Sequence, residues 1–362
     1  MPTFLTAPGA AVQLPAASLK RTQKLHRWVG LAAAMFLSVV GGTGSLLAFR
    51  EPIDLYLNQK LTKVTPAGPM LPLNDLVSRV SEKYPGYTAM QVNLPERPDR
   101  ELDIVLVRED GKVAPLAVNP YTGEVLGTFD QANQFMDAVL RVHKSLLLGG
   151  GDAGAKLSGF ALLALAISGI ALWGRRKIPR VKTGSSRHVF TLDLHSALGI
   201  YAVAFLLVFA LTGVYPRGIG MQRPRRFEEP QHASGAAVLS AEELLAAARK
   251  AAPGATPVWL DLRWQQAHGG AVVGFRYPYD HTPGGRTIVH MDPWSGKVLD
   301  VMSTEQMSAS RRFAMLWDME IHTGTILGWP TRMIAAISGL VLPVMAVTGP
   351  MVWWMRRRRN FS

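Results

Sequence analysis

Four apolar runs interrupt an otherwise mixed chain, at about residues 28–49, 157–174, 196–215 and 333–355. Each is long enough, at roughly 1.5 Å of helical rise per residue, to approach or cross a hydrocarbon core of about 30 Å. The pattern predicts four transmembrane helices, TM1 to TM4. The second run is short, and Pro343 and Pro350 are expected to kink the fourth.

Between TM1 and TM2 (residues 50–142), and between TM3 and TM4 (216–321), the periodicity is that of soluble protein. Residues 73–84 repeat with a helical period and Pro85-Gly86 stops them; strand-like runs follow at 102–108 and 113–118, joined by Glu109-Asp110-Gly111. The second stretch keeps the order, with a helix over 240–252 ended by Pro253-Gly254, then strands near 257–264, 271–277 and 286–291. VNPYTGEVLG, closing the first unit, matches MDPWSGKVLD position by position at its turn. Two small helix-plus-sheet domains are predicted.

The spans repeat as well. His26 precedes Gly30 by 4 and Gly44 by 18, and His195 precedes Gly199 and Gly213 by the same intervals. His143 precedes Gly149 by 6, as His322 precedes Gly328. TM2 ends Ser168-Gly169 with Trp173 four residues on, and TM4 ends Thr348-Gly349 with Trp353 four on. The fold expected is an α-helical integral membrane protein with four transmembrane helices in two parallel repeats, plus two small α+β extracytoplasmic domains.

A net charge of +13 would suggest nucleic acid for a soluble chain. Here it is carried by Lys20, Arg21, Lys24 and Arg27, by the loop 175–195, and by the tail 356–362, while the two long loops are nearly neutral. The positive-inside rule puts these basic segments, and both termini, in the cytoplasm. Residues 1–19, rich in Ala and Pro, are expected to be a disordered cytoplasmic arm. The arm and TM1 resemble a cleaved signal, but the apolar run is too long and has a repeat partner, so TM1 is read as retained. The chain has no cysteine, which removes disulfides, thiolate metal sites and iron–sulfur clusters.

Four of the nine histidines, His26, His143, His195 and His322, stand at the ends of the four spans. Taken singly, a histidine at a membrane edge is ordinarily an interfacial polar residue. Matched spacing argues otherwise. Topology sets His26 and His195 on the inner side and His143 and His322 on the outer, too far apart to mix across roughly 30 Å. Two imidazoles from facing helices, with no Cys and no Glu-x-x-His motifs, suit haem iron better than zinc or a di-iron centre. Two axial histidines leave no open position, so such a haem passes electrons. Two b-type haems are expected, with the nearby glycines lying against the flat macrocycle.

Other candidates carry less. His188 is a loop residue or an alternative ligand; His232, His268, His281 and His290 are read as ordinary residues of the outside domains; Met315 and Met319 fill gaps beside His322 or ligate. Lys24, Arg27, Arg141 and Lys144 neutralise haem propionates or snorkel. Residues 149–154 fit G-x-G-x-x-G but follow no strand, and Ala155 spoils a P-loop. No nicotinamide or flavin fold is evident.

The motifs HRWVGL, DLHSALGIY and IHTGTILGWP, with the Asn/Asp-Pro-x-Ser/Thr-Gly turns, resemble the bacterial PepSY-associated transmembrane proteins, also called iron-regulated membrane proteins, over nearly all of residues 20–358. Some members are di-haem reductases of ferric siderophores, and the likeness here is to the ferrioxamine reductase type. The resemblance implies a bacterial inner-membrane enzyme in which electrons pass from the His26–His195 haem to the His143–His322 haem and on to a ferric chelate in the periplasm. The implied partners are a ferric siderophore, a quinol or cytoplasmic reductant, and membrane lipid. Hydroxamate oxygens hold Fe(III) far better than Fe(II), so one-electron reduction loosens the iron, and no side chain need act as a catalytic group. Trp259, Trp264, Tyr277, Tyr279 and Arg276 could cradle a chelate, or pack a domain core. The alternative is a haem-free, membrane-anchored binding or regulatory protein for a periplasmic partner. A transporter would need intramembrane carboxylates, and the nearest, Glu51 and Asp54, lie at the outer edge.

Overall fold

The computed structural model describes residues 15–129, 134–146, 151–173, 181–214, 237–262, 270–280, 284–318 and 320–359. The chain divides into two compact units, Met1–Ala48 with Val139–Tyr215 and Ile321–Ser362, and Phe49–Ala138 with Pro216–Glu320.

The first unit is helical. Four of its helices, numbered with the others in chain order, are long and apolar enough to cross a membrane: α1 (Ala16–Leu47), α6 (Ala153–Trp173), α7 (Arg187–Val214) and α11 (Trp329–Arg359). Two short helices precede the second and fourth spans, α5 (Phe135–Ser145) and α10 (Glu320–Thr323). The long helices form a ring in which α1 packs on α6 and α11, and α7 packs on the same two neighbours. So α1 faces α7 across a diagonal. Small residues allow the closest crossing: a Cβ on Gly41 would stand 2.5 Å from the Gly339 carbonyl, and the Ser45 hydroxyl donates to the Ala336 carbonyl at 2.8 Å. Leu37, Leu162, Leu206 and Leu342 fill the middle of the ring, while Met35, Phe160, Ile167 and Ile337 are exposed. That inversion suits a bilayer as solvent.

Helix ends depart from the apolar pattern. α1 already begins at Ala16 and α7 at Arg187, so the expected arm 1–19 and loop 175–195 each give up their last residues to helix. Hydropathy marks where lipid begins, whereas Ala, Leu, Lys, Arg and Gln sustain a helix beyond it. One helix runs through both Pro343 and Pro350. Residues 1–14 and 215–236, together with Trp264, His268, His281 and Met319, lie outside the described residues, His232 among them; so do Gly149 and Gly150.

The second unit departs from the expected pair of separate domains. Its strands are β1 (Tyr87–Asn93), β2 (Leu102–Arg108), β3 (Val113–Val118), β4 (Val125–Thr128), β5 (Thr256–Asp261), β6 (Ala271–Arg276), β7 (Thr287–Met291) and β8 (Val298–Met302). All join one antiparallel sheet in the order β4-β3-β2-β1-β5-β6-β7-β8. The seam is β1 against β5, with Val92 opposite Leu260. Helices α4 (Leu73–Lys83) and α8 (Ala241–Ala251) share its core: Leu76, Val80, Leu244 and Ala248 pack with Val92, Ile104, Leu260 and Phe275 in one cluster. The helices also meet at their N-termini, where Asn74 N–H donates to Glu242 and Ala241 N–H to the Asn74 side chain. Ser240 and Glu243 cap α8 reciprocally. The matched turns form as expected, with Asn119 and Asp292 accepting from the backbone two residues on and Gly123 and Gly296 at φ 75° and 67°. The unit also holds α2 (Arg50–Leu57), α3 (Gln59–Thr62) and α9 (Ala309–Asp318). On the sheet face away from the core, burial pushes the Asp103 carboxyl up to about 7, with the Glu101 carboxylate adding to this and Arg100 and Asn93 opposing it.

Two opposed histidine pairs as the candidate functional site

The histidine pairs expected from spacing are brought together. His26 on α1 and His195 on α7 have ring centres 6.4 Å apart, their planes at 85°. His143 on α5 and His322 on α10 have ring centres 6.3 Å apart, planes at 60°. Both sites belong to the helical unit, and the first bridges its diagonal.

Each ring is held from behind by a hydroxyl of another helix. His26 Nδ1 lies 2.8 Å from Ser168 Oγ on α6, and His195 Nδ1 lies 2.9 Å from Thr348 Oγ1 on α11. His322 Nδ1 is 2.9 Å from Thr212 Oγ1 on α7. His143 Nδ1 is 3.1 Å from Thr43 Oγ1 on α1 and also 3.1 Å from the Val40 carbonyl. These contacts assign the tautomer. Each hydroxyl already donates to the carbonyl one turn earlier, Ser168 to Ala164, Thr348 to Val344, Thr212 to Val208 and Thr43 to Val39. A hydroxyl has a single proton, so towards the ring it accepts, and the proton sits on Nδ1. The lone pair is then on Nε2. A hydrogen-bond partner behind Nδ1 is what orients a histidine to ligate a metal through Nε2.

The glycine after each hydroxyl residue makes room for the ring. A Cβ would stand 3.2 Å from His143 Cε1 at Gly44, 3.2 Å from His322 Cε1 at Gly213, 3.4 Å from His195 Cε1 at Gly349, and 3.6 Å from His26 Cε1 at Gly169. Gly44, Gly169, Gly213 and Gly349 thus lie against the histidine rings. One Ser/Thr-Gly dipeptide per span, Thr43-Gly44, Ser168-Gly169, Thr212-Gly213 and Thr348-Gly349, was the signal for this role.

The donor set can be tested against metals. Zinc wants four ligands, and among the described residues no three His, Cys, Asp or Glu gather to hold an ion. A porphyrin metal brings four nitrogens and asks for two more, trans to each other. With an imidazole–metal bond of about 2.0–2.1 Å and roughly 1.1 Å from nitrogen to ring centre, trans imidazoles stand about 6.3 Å apart and tetrahedral ones about 5.2 Å. The separations of 6.4 and 6.3 Å fit trans ligation. Along α1 the first site is at His26 and the second at Thr43, and along α7 at His195 and Thr212. Seventeen residues of helix is about 25 Å, within a core of roughly 30 Å.

The remaining candidates fall elsewhere. His188 occupies the first turn of α7, about 10 Å along the axis from His195, so it is not part of the pair. His290 belongs to β7, opposite Asp300 of β8. Arg27 lies 5.4 Å over the Trp28 ring. The proposed chelate cradle is mostly committed to packing. Tyr277 is buried and stacks on Tyr279 at 5.3 Å, Arg312 caps Tyr279 at 4.5 Å, Arg276 pairs with Glu96, and Trp259 donates to the Gly284 carbonyl while covering Gly274.

Comparison with known proteins adds a family. The sequence model described as PepSY-associated TM region matches residues 23–356. An uncharacterized protein of Pseudomonas aeruginosa is 35% identical over 81 residues, 22% of this chain. That match spans only 21% of the relative's own length.

Proposed function

This chain belongs to the PepSY-associated TM region family, and we propose that it is a two-haem reductase that carries electrons across the bacterial inner membrane to a ferric siderophore in the periplasm, releasing Fe(II). The observation that carries the reading is the pair of opposed histidine couples, at trans-ligation spacing on two levels of one helical bundle, each ring oriented by a hydroxyl. Bound there, a b-type haem supplies a one-electron Fe(III)/Fe(II) couple.

The chain's own residues supply the rest. His26 and His195 hold the inner site, and His143 and His322 the outer one. Ser168, Thr348, Thr43 and Thr212 keep the ligand nitrogens deprotonated and aimed. A haem held between His26 and His195, or between His143 and His322, would have no position left open for dioxygen, which would favour outer-sphere transfer. Leu37, Leu162, Leu206 and Leu342 close the layer between the levels to water. The basic segments keep both termini in the cytoplasm, so a quinol or cytoplasmic reductant feeds the inner site. A hydroxamate-type chelate accepts one electron per Fe(III) at the outer side and then holds the iron weakly.

The test is haem content by variant. His195→Ala and His143→Ala are each expected to retain one haem per chain, and dithionite-reduced wild-type protein is expected to be reoxidised by a ferric hydroxamate. Retention of both haems in His195→Ala rejects the ligand assignment, and no reoxidation rejects the substrate class.

A further inference from the structure

The two histidine pairs are mounted differently. His26 and His195 sit within continuous helices of 32 and 28 residues, whereas His143 sits on α5, of 11 residues, and His322 on α10, of 4. A single turn of helix does not hold its shape alone, because nucleation fixes several dihedrals for one hydrogen bond. Thr212 orients the His322 ring, and the position of the backbone that carries it depends on what grips α10 at its ends.

At the C-terminal end Gly324 turns with φ 74°, and a Cβ there would stand 2.7 Å from the Thr331 carbonyl. At the other end, two residues before His322, the Glu320 carboxylate is fully buried. It is gripped bidentately by Arg286, Nε at 3.1 Å from Oε1 and Nη2 at 2.9 Å from Oε2, with the arginine side chain only 10% exposed. Arg286 ends the connection from β6 to β7, whose Tyr277 and Tyr279 stack beneath Arg312. In the first half the matching connection, β2 to β3, is the short turn at 109–112. The enlarged loop and its arginine thus belong to the half that carries α10.

We propose that Arg286 is a positioning residue for His322: its fork on Glu320 sets the orientation of α10, so the His143–His322 site, and not the His26–His195 site, responds to loss of that ion pair. This rests on the two-haem reading above. A planar guanidinium on a buried carboxylate fixes direction as well as charge, which an ammonium does not.

The test uses full-length protein purified with its haems, as wild type, Arg286→Gln and Arg286→Lys. Arg286→Gln is expected to shift the low-spin ferric EPR signal and midpoint potential of the haem that His322→Ala removes. The haem that His26→Ala removes should keep both. Arg286→Lys should show the same one-sided shift, smaller. Amide exchange over residues 321–324, which needs no haem, should quicken about tenfold or more in Arg286→Gln. Both haems shifting together, or neither shifting in folded Arg286→Gln, overturns the proposal, as does unchanged exchange over 321–324. Should neither arginine variant accumulate, Glu320→Gln carries the same expectations. Wild-type protein without haem defeats the two-haem reading, and the exchange measurement then decides separately whether Arg286 orders α10.

Discussion

Replacing Thr212 by Val keeps the side-chain shape and removes the oxygen 2.9 Å from His322 Nδ1. α7 loses only a back-bond to the Val208 carbonyl, and both residues are β-branched, so the helix itself is little changed. The His322 N–H loses the Thr212 oxygen, and loss of a hydrogen-bond partner behind a metal-ligating histidine costs about 10–100-fold in metal affinity, or roughly 1.4–2.7 kcal/mol. Thr43→Val makes the same change behind His143, whose Nδ1 is 3.1 Å from Thr43 Oγ1 and from the Val40 carbonyl, and should weaken the site as well. The assay is haem transfer to an excess of apo-acceptor, followed in the Soret band, in a His26→Ala background where only the His143–His322 site remains. Thr212→Ser should restore most of the affinity. Unchanged affinity in Thr212→Val, or a loss that Thr212→Ser does not restore, would refute the reasoning from the hydroxyl network.

The glycines give a graded series. Gly213→Ala puts a methyl 3.2 Å from His322 Cε1 and should weaken haem retention at that site, whereas Gly169→Ala, at 3.6 Å from His26 Cε1, should be tolerated; visible spectra of the two variants decide it. Gly339→Leu should break the α1–α11 crossing, where even a Cβ collides with Ser45 and the Gly41 carbonyl, and its yield of monodisperse protein should collapse relative to Gly42→Leu, which meets open space. In the sheet, Asp103 has a folded pKa of about 7 against an ordinary carboxylate value near 3.8. A raised pKa means the folded state binds the proton more tightly, so this contribution to stability is complete below about pH 4 and lost as pH rises through about 7. Asp103→Asn should abolish that fall and raise the unfolding midpoint at pH 8; a variant no more stable than wild type at pH 8 would contradict it.

What the sequence showed, it showed through repetition. The strands at 102–108 and 113–118 were legible because apolar alternation and a Gly turn bounded them. β1 was not, since Thr88, Gln91 and Asn93 give it a polar face and it lies at the centre of a sheet, where local periodicity says nothing of its partners. The union of two expected domains rests on the β1–β5 seam, a pairing between segments far apart in the chain. α10 is too short to show any period. The pairing of His26 with His195 and of His143 with His322 followed from topology, but the hydroxyls that aim them did not. Thr348 reaches His195 only because α11 lies beside α7 in the ring, which no spacing within one helix reveals.

The central claim is that each histidine couple holds one haem by both axial positions. Haem content by pyridine haemochrome, with absorption spectra before and after carbon monoxide, on purified full-length protein tests it most directly. Two b-type haems per chain, low-spin and unaltered by carbon monoxide, are predicted. A haem-free preparation, or a reduced spectrum that shifts with carbon monoxide, would contradict it.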